Sequence, residues 1–259
     1  MKLRCLLVSV LAIAISAGTS AAQNLAISIG IRETEAGGGA SGGPVFSNGG
    51  ALGGIEYVDL DGQTLVLNGT WQQFTFTPST DTLTGFAGAT ANGVLDGEWG
   101  VLEHIRIRNI DGITQPLRVW LDDVSNTDSS GTFVEGFESF TVGAEVMFQE
   151  PGFSGSTATN IVQTPSPTAA VTDAFAQSGL HSYALEFQFV DNSTTRWDRL
   201  TTFNTPVLGN PAIRLAEAGG APTISFWLRG EVVPEPTTAG LLAMSMAGMW
   251  LSQYRKSRA

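Results

Sequence analysis

The chain has 259 residues, 42% of them hydrophobic, a formal net charge of −11 and a single cysteine. Five of its 13 basic residues (Lys2, Arg4, Arg255, Lys256, Arg258) lie at the two ends, so the body sets eight arginines and no lysine against 24 acidic residues, a net −16. Such a surface repels nucleic acid and anionic lipid headgroups and leaves neutral polysaccharide and divalent cations as permitted partners. The apolar fraction is high enough for a packed core and excludes an extensively disordered chain.

In chain order, Met1-Lys2-Leu3-Arg4 is basic, Leu6 to Ile15 is apolar, and Ala17 to Ala22 supplies small residues. That sequence of features predicts a secretory signal peptide over residues 1–22, with signal peptidase cutting after Ala22 or nearer Ala17 or Ser20. The apolar run is shorter than the roughly 18 to 20 residues of a membrane-spanning helix. Cys5 falls inside this segment and precedes the hydrophobic run, which rules out a lipobox. The exported body therefore carries no thiol, and its stability has to come from a core or from bound ions rather than from disulfides.

About 210 residues separate the two end segments, enough for one large β domain or two of about 100 residues each. Ile27, Ile29 and Ile31 alternate with polar residues, Leu65 and Leu67 share a face, and Phe74 and Phe76 alternate with threonines. Further strands are predicted at 102–107, 117–121, 142–148, 182–190, 196–203 and 223–229, with turns rich in Gly, Asn, Asp and Pro between them. The glycine-rich segment 37–43 reads as a flexible loop and 154–172 as a long loop or weakly patterned strands. Many short strands with period-2 patterning predict an all-β protein, an antiparallel β-sandwich or jelly roll. The polar stretch Ser125 to Gly131 reads as a seam, and Trp71-Gln72-Gln73-Phe74-Thr75 is echoed by Trp197-Asp198-Arg199-Leu200-Thr201. Together they favour two sandwiches in tandem, over residues 23–130 and 131–232.

Candidate chemistry is sparse. Of the two histidines, His104 shares a strand face with Arg106 and Arg108 and is predicted to be solvated, and His181 to lie in a turn. Without cysteines, and with the histidines far apart, no zinc ligand set can be assembled. Paired acids such as Glu135 with Glu138, Asp96 with Glu98, or Glu186 with Asp191 suit glycosidase chemistry on paper, but 24 acids produce such pairs by chance. No cofactor is expected, structural calcium excepted: hard oxygen ligands suit Ca²⁺, and Asp59 with Asp61, beside Gly62, and Asp122 with Asp123, at a strand end, are the candidate carboxylates. For ligand binding the candidates are Trp120 and Trp227, each set by alternation opposite an aliphatic face and beside an arginine, where a flat ring can stack on a sugar while Arg and Asp meet its hydroxyls.

The chain ends with Val233-Pro234-Glu235-Pro236-Thr237-Thr238, an apolar run from Ala239 to Leu251, and Arg255, Lys256 and Arg258. Trp250 and Tyr254 sit where interfacial aromatics belong, and the basic cluster places the last residues on the cytoplasmic side. This order of short motif, hydrophobic helix and basic end closely resembles the PEP-CTERM sorting signal, here residues 233–259. The resemblance implies membrane contact through that helix, recognition by an exosortase, cleavage near Pro234-Glu235-Pro236, and a destination at the cell surface or outside the cell. The body resembles carbohydrate-binding-module jelly rolls at Phe137-Glu138-Ser139-Phe140, at Ser178-Gly179-Leu180-His181-Ser182-Tyr183-Ala184-Leu185 and at Ile224-Ser225-Phe226-Trp227-Leu228. The expected function is that of a non-enzymatic surface or matrix protein associated with exopolysaccharide. The alternative is a secreted carbohydrate-active hydrolase that uses a carboxylate pair, with Glu138 or Glu186 as the test positions.

Overall fold

The computed structural model describes residues 22–34, 44–45, 53–129, 131–202, 210–215 and 221–233. The terminal segments expected to be helical, the 37–43 segment and all of the tail beyond Val233 lie outside these residues. The strands are β1 (Asn24–Thr34), β2 (Pro44–Val45), β3 (Ile55–Val66), β4 (Trp71–Phe76), β5 (Leu83–Ala87), β6 (Trp99–Asn109), β7 (Leu117–Asp128), β8 (Gly131–Glu135), β9 (Thr168–Thr172), β10 (Ser182–Phe187), β11 (Trp197–Thr201), β12 (Asn210–Arg214) and β13 (Thr223–Val232). They form two antiparallel sheets in a sandwich. The first runs β2-β12-β6-β1-β3-β5 with β11 also on β6, and the second runs β4-β13-β7-β10-β9 with β8 also on β7.

Each sheet is organised by a long strand that shares one of its edges between two short partners. β6 pairs with β12 over Trp99–Val101 and with β11 over His104–Arg108. β7 pairs with β10 over Leu117–Leu121 and with β8 over Val124–Asp128. The expected seam is thus the end of β7 and its hairpin into β8. Because β13 lies between β4 and β7, and β11 and β12 both join β6, each sheet takes strands from both sides of residue 130. The tandem arrangement, 23–130 and 131–232, is corrected to one sandwich. A single buried cluster runs from Leu25 and Ile27 through Phe74, Val119 and Tyr183 to Phe226 and Leu228.

The alternation that predicts the strands is what fills this core. Ile27, Ile29 and Ile31 of β1, Ile105 and Ile107 of β6, and Ile224, Phe226 and Leu228 of β13 are all fully buried between the sheets. Phe74 and Phe226 stack at 5.9 Å, and Phe137 stacks on Tyr183 at 5.3 Å. The Trp71 and Trp197 segments become β4 and β11, in different sheets, and each buries its fourth residue, Phe74 or Leu200, in the core. The strand expected at 142–148 does not form: Val142 is 47% exposed, and only Phe148 makes an isolated bridge, to Thr202.

Candidate functional site

The outward face of the second sheet brings together Trp71, Trp120, Asp122 and Trp227 of the residues singled out in the sequence. Trp227 of β13 lies between Gln73 of β4 and Asp122 of β7, and Arg229 lies between Trp71 and Trp120. Trp71 and Trp227 are half-buried, so each ring keeps an accessible part. Trp120, expected as an open platform, is 1% exposed. The Phe175 ring covers it edge-on at 4.9 Å, and the guanidinium of Arg229 sits 5.3 Å from the centre of Trp120 and 3.9 Å from that of Phe175. Arg118 approaches Trp120 from another side at 5.7 Å. Phe175, 41% exposed, thus takes the outermost place of an aromatic and guanidinium stack.

Phe175 belongs to the loop 173–181 between β9 and β10, and carboxylates hold that loop on the sheet. Asp122 Oδ2 accepts the amides of Gln177 (2.7 Å) and Ser178 (3.3 Å), while its Oδ1 accepts that of Asp123 (2.7 Å). Asp123 Oδ1 accepts the Ser178 hydroxyl at 2.9 Å. Glu138 Oε1 accepts the amides of Leu180 and His181 at 2.8 and 2.9 Å, and these bonds lower its pKa. Burial pushes Asp122 up to about 6 against the opposing pull of its amide bonds.

These contacts redirect the calcium reading. Both oxygens of Asp122 and Oδ1 of Asp123 accept hydrogen bonds from donors of the protein itself. Asp59 and Asp61 lie in the first sheet, where residues 59–62 bulge out of β3 between the pairs Ile29↔Val58 and Ile27↔Gln63. The chain there is not extended as expected: Asp59 has φ 55° and Gly62 φ 85°, and a Cβ on Gly62 would come within 3.0 Å of the Ile27 backbone. The bulge carbonyls of Leu60 and Asp61 accept Arg106 Nη1 and Arg108 Nη2, each at 3.0 Å, which sets cations where calcium would need free oxygens. Asp59 is raised by burial and by Asp81. Among the described residues no group of three or more His, Cys, Asp or Glu side chains is placed to hold a metal ion.

Apart from Glu98, the acids considered for hydrolysis are engaged in the same structural way. Glu186 bonds Arg118 at 2.6 Å, Asp191 bonds Arg196 at 2.6 Å, and Glu135 Oε1 accepts the Phe137 amide at 2.7 Å. Asp96 Oδ2 accepts the Asn92 side-chain amide at 2.7 Å.

His104 is a correction. It is fully buried on the outward side of the first sheet, not solvated, with Tyr57 and Phe86 at 5.5 and 5.6 Å and Trp197 at 6.5 Å. Its ring lies directly over Gly30, its partner on β1, where a Cβ would fall 2.1 Å from Cε1. Nδ1 bonds the Glu103 carboxylate, which Arg199 also grips and Arg32 approaches at 3.8 Å. Burial alone would raise Glu103, but His104 and the two guanidiniums outweigh it and hold the carboxyl well below its usual range. Burial lowers the pKa of His104 itself, against the raising pull of Glu103. Arg106 stacks over Trp197 at 5.1 Å in the same cluster. The sequence signal for it was an acid next to a histidine, with arginines from three strands, and only the pairing register shows that they meet.

No protein-family model, curated protein or solved structure matches this chain. Its class rests on fold and surface: an all-β sandwich with an outward face of tryptophan, phenylalanine and arginine. No helix among the described residues is long and apolar enough to cross a membrane.

Proposed function

We propose that this is an exported cell-surface or extracellular-matrix protein, sorted and processed at Pro234-Glu235-Pro236 by an exosortase, which associates with exopolysaccharide without catalysing a reaction on it. The observation that carries the binding part is the outward face of the second sheet. The accessible rings of Trp71, Trp227 and Phe175 offer flat apolar surfaces to sugar C–H faces, while Arg229 and Gln73 lie beside them to meet hydroxyls. The net −16 of the body favours a neutral polymer over a polyanion. Trp120 supports the face from beneath, and Asp122 and Glu138 hold the loop that carries Phe175. Affinity electrophoresis through the host's own exopolysaccharide tests this. The wild-type protein is expected to be retarded and Trp227→Ala to lose at least fivefold of that affinity. Equal mobility with and without polymer would remove the binding role, and release of reducing sugar that disappears in Glu138→Gln or Glu186→Gln would replace it with hydrolysis.

A further inference from the structure

Where β7 begins and β10 ends, the second sheet carries a cleft of about 340 Å³, walled by Pro116, Arg118, Pro165, Pro167, Glu186 and Gln188 among others. That is the small end of the size range of ligand sites, which starts at about 300 Å³. The three proline rings have a fixed φ and no N–H, so this part of the wall is stiff and presents C–H surface. In the same wall stands the ion pair of Arg118 and Glu186, whose side chains are 37% and 49% exposed. Arg118 puts both Nε and Nη2 on Glu186 Oε1, each at 2.6 Å, so Nη1 and Oε2 take no part in the pair. Glu231, the partner of Arg118 on β13, leans to Arg229 at 3.8 Å. The charges at this end of the sheet are thus matched in pairs, and an ion entering the cleft gains no unmatched countercharge.

We propose that the cleft is a binding site for a neutral sugar, held through two adjacent hydroxyls by the Arg118–Glu186 pair. One hydroxyl donates to Glu186 Oε2 while its neighbour accepts from Arg118 Nη1, and the charge on the protein side strengthens both bonds. Gln188, whose Nε2 is engaged on the Thr114 carbonyl at 2.6 Å, adds an amide oxygen that can only accept. The C–H face of the sugar meets the proline rings. A purely apolar guest would cover the pair's remaining donor and acceptor without replacing their water, and an ion would have to displace one member of a bidentate pair. The cleft adjoins the tryptophan-bearing face: Arg118 lies 5.7 Å from the Trp120 ring, and its partner Glu231 is four residues from Trp227, about 13 Å along β13. Its occupant is a free sugar or one unit of a polymer that lies on that face, and the same groups hold either. The site's chemistry stands independently of the polymer binding proposed above.

The test is an NMR titration of the full chain, labelled with nitrogen-15 and held in a detergent without a sugar headgroup. Glucose, galactose and mannose are added, each up to about 100 mM, well above the Kd on the order of millimolar expected for a ligand of about a dozen heavy atoms. At least one of the three should shift the amides of Arg118, Ser166, Thr168, Glu186 and Gln188 saturably. Ser166→Trp, which fills the cleft from an exposed position, and Glu186→Met, which removes the acceptor, should each weaken that binding at least fivefold. No saturable shift at the cleft, or either variant binding as tightly as the wild type, would overturn the proposal. Addition of the host's exopolysaccharide separates the two sources: displacement of the hexose marks a polymer unit as the occupant and no displacement a free sugar, and both results keep the cleft as a sugar site. Equal electrophoretic mobility with and without polymer, alongside hexose shifts at the cleft, would remove the polymer reading and leave this site standing.

Discussion

Asp198 offers the sharpest test of how this sandwich is held together. It is fully buried beside the segment 150–157, where its Oδ1 accepts the Gly152 amide at 2.8 Å. Burial pushes its carboxyl up to about 7, against the lowering pull of the Gly152 and Arg199 amides and the Thr157 hydroxyl. In the unfolded chain the same group titrates near 3.8. Below that pH both states hold the proton and the site contributes nothing adverse. As pH rises toward 7 the unfolded chain ionises while the folded one keeps its proton, so stability falls along this window and levels off above it. About three pKa units at 1.36 kcal/mol each give a loss of about 4 kcal/mol by pH 8. Asp198→Asn retains an acceptor for Gly152 and cannot ionise. Urea unfolding of both proteins between pH 4.5 and 8 should therefore show a stability difference that grows with pH in favour of the variant. A pH-independent difference, or a variant that is weaker at pH 8, would refute the assignment of a buried, proton-retaining carboxyl.

Other consequences are as direct. Gly30→Ala places a Cβ 2.1 Å from the His104 ring and must displace it from Glu103; thermal unfolding should register a cost of about 1 to 3 kcal/mol, and His104→Ala in the same background should recover part of it. Asp122→Ala removes the acceptor of the Gln177 and Ser178 amides, so hydrogen exchange should quicken across 175–181 while β1 and β6 stay protected. Phe175→Ala uncovers Trp120 without touching the core between the sheets; its tryptophan emission should shift to the red and acrylamide should quench it more strongly, with global stability lowered by no more than about 1 to 2 kcal/mol.

The strands were legible because the core asks for only one face of each. Isoleucines at 27, 29 and 31 and the run Ile224, Phe226 and Leu228 announce both the strand and its inward side. What alternation cannot report is whether something covers the other side. His104 and Trp120 were both assigned correctly to outward faces, yet both are buried: His104 beneath an aromatic and arginine cluster drawn from β3, β6 and β11 and from Phe86, Trp120 beneath a loop 55 residues further along the chain. The same blindness to long-range pairing produced the tandem domains. Ser125 to Gly131 is polar and turn-like, but β13, nearly a hundred residues on, returns to pair with Ser125 and Asn126 and makes them part of a central strand. The carboxylates of Asp122 and Glu138 are visible in the sequence as acids, while their partners, the amides of Gln177, Ser178, Leu180 and His181, carry no side-chain signature that a sequence displays. Trp227 shares that outward face and stays half-buried, between Gln73 and Asp122.

The central claim is export and processing at the C-terminal motif, and intact mass of the protein from its own host, taken separately from membrane, surface and medium fractions, tests it most directly. A chain that begins at Gln23, ends within Pro234-Glu235-Pro236 and is recovered from the surface or the medium is the result predicted here. A chain that still carries Arg255, Lys256 and Arg258 and remains in the inner membrane would contradict it.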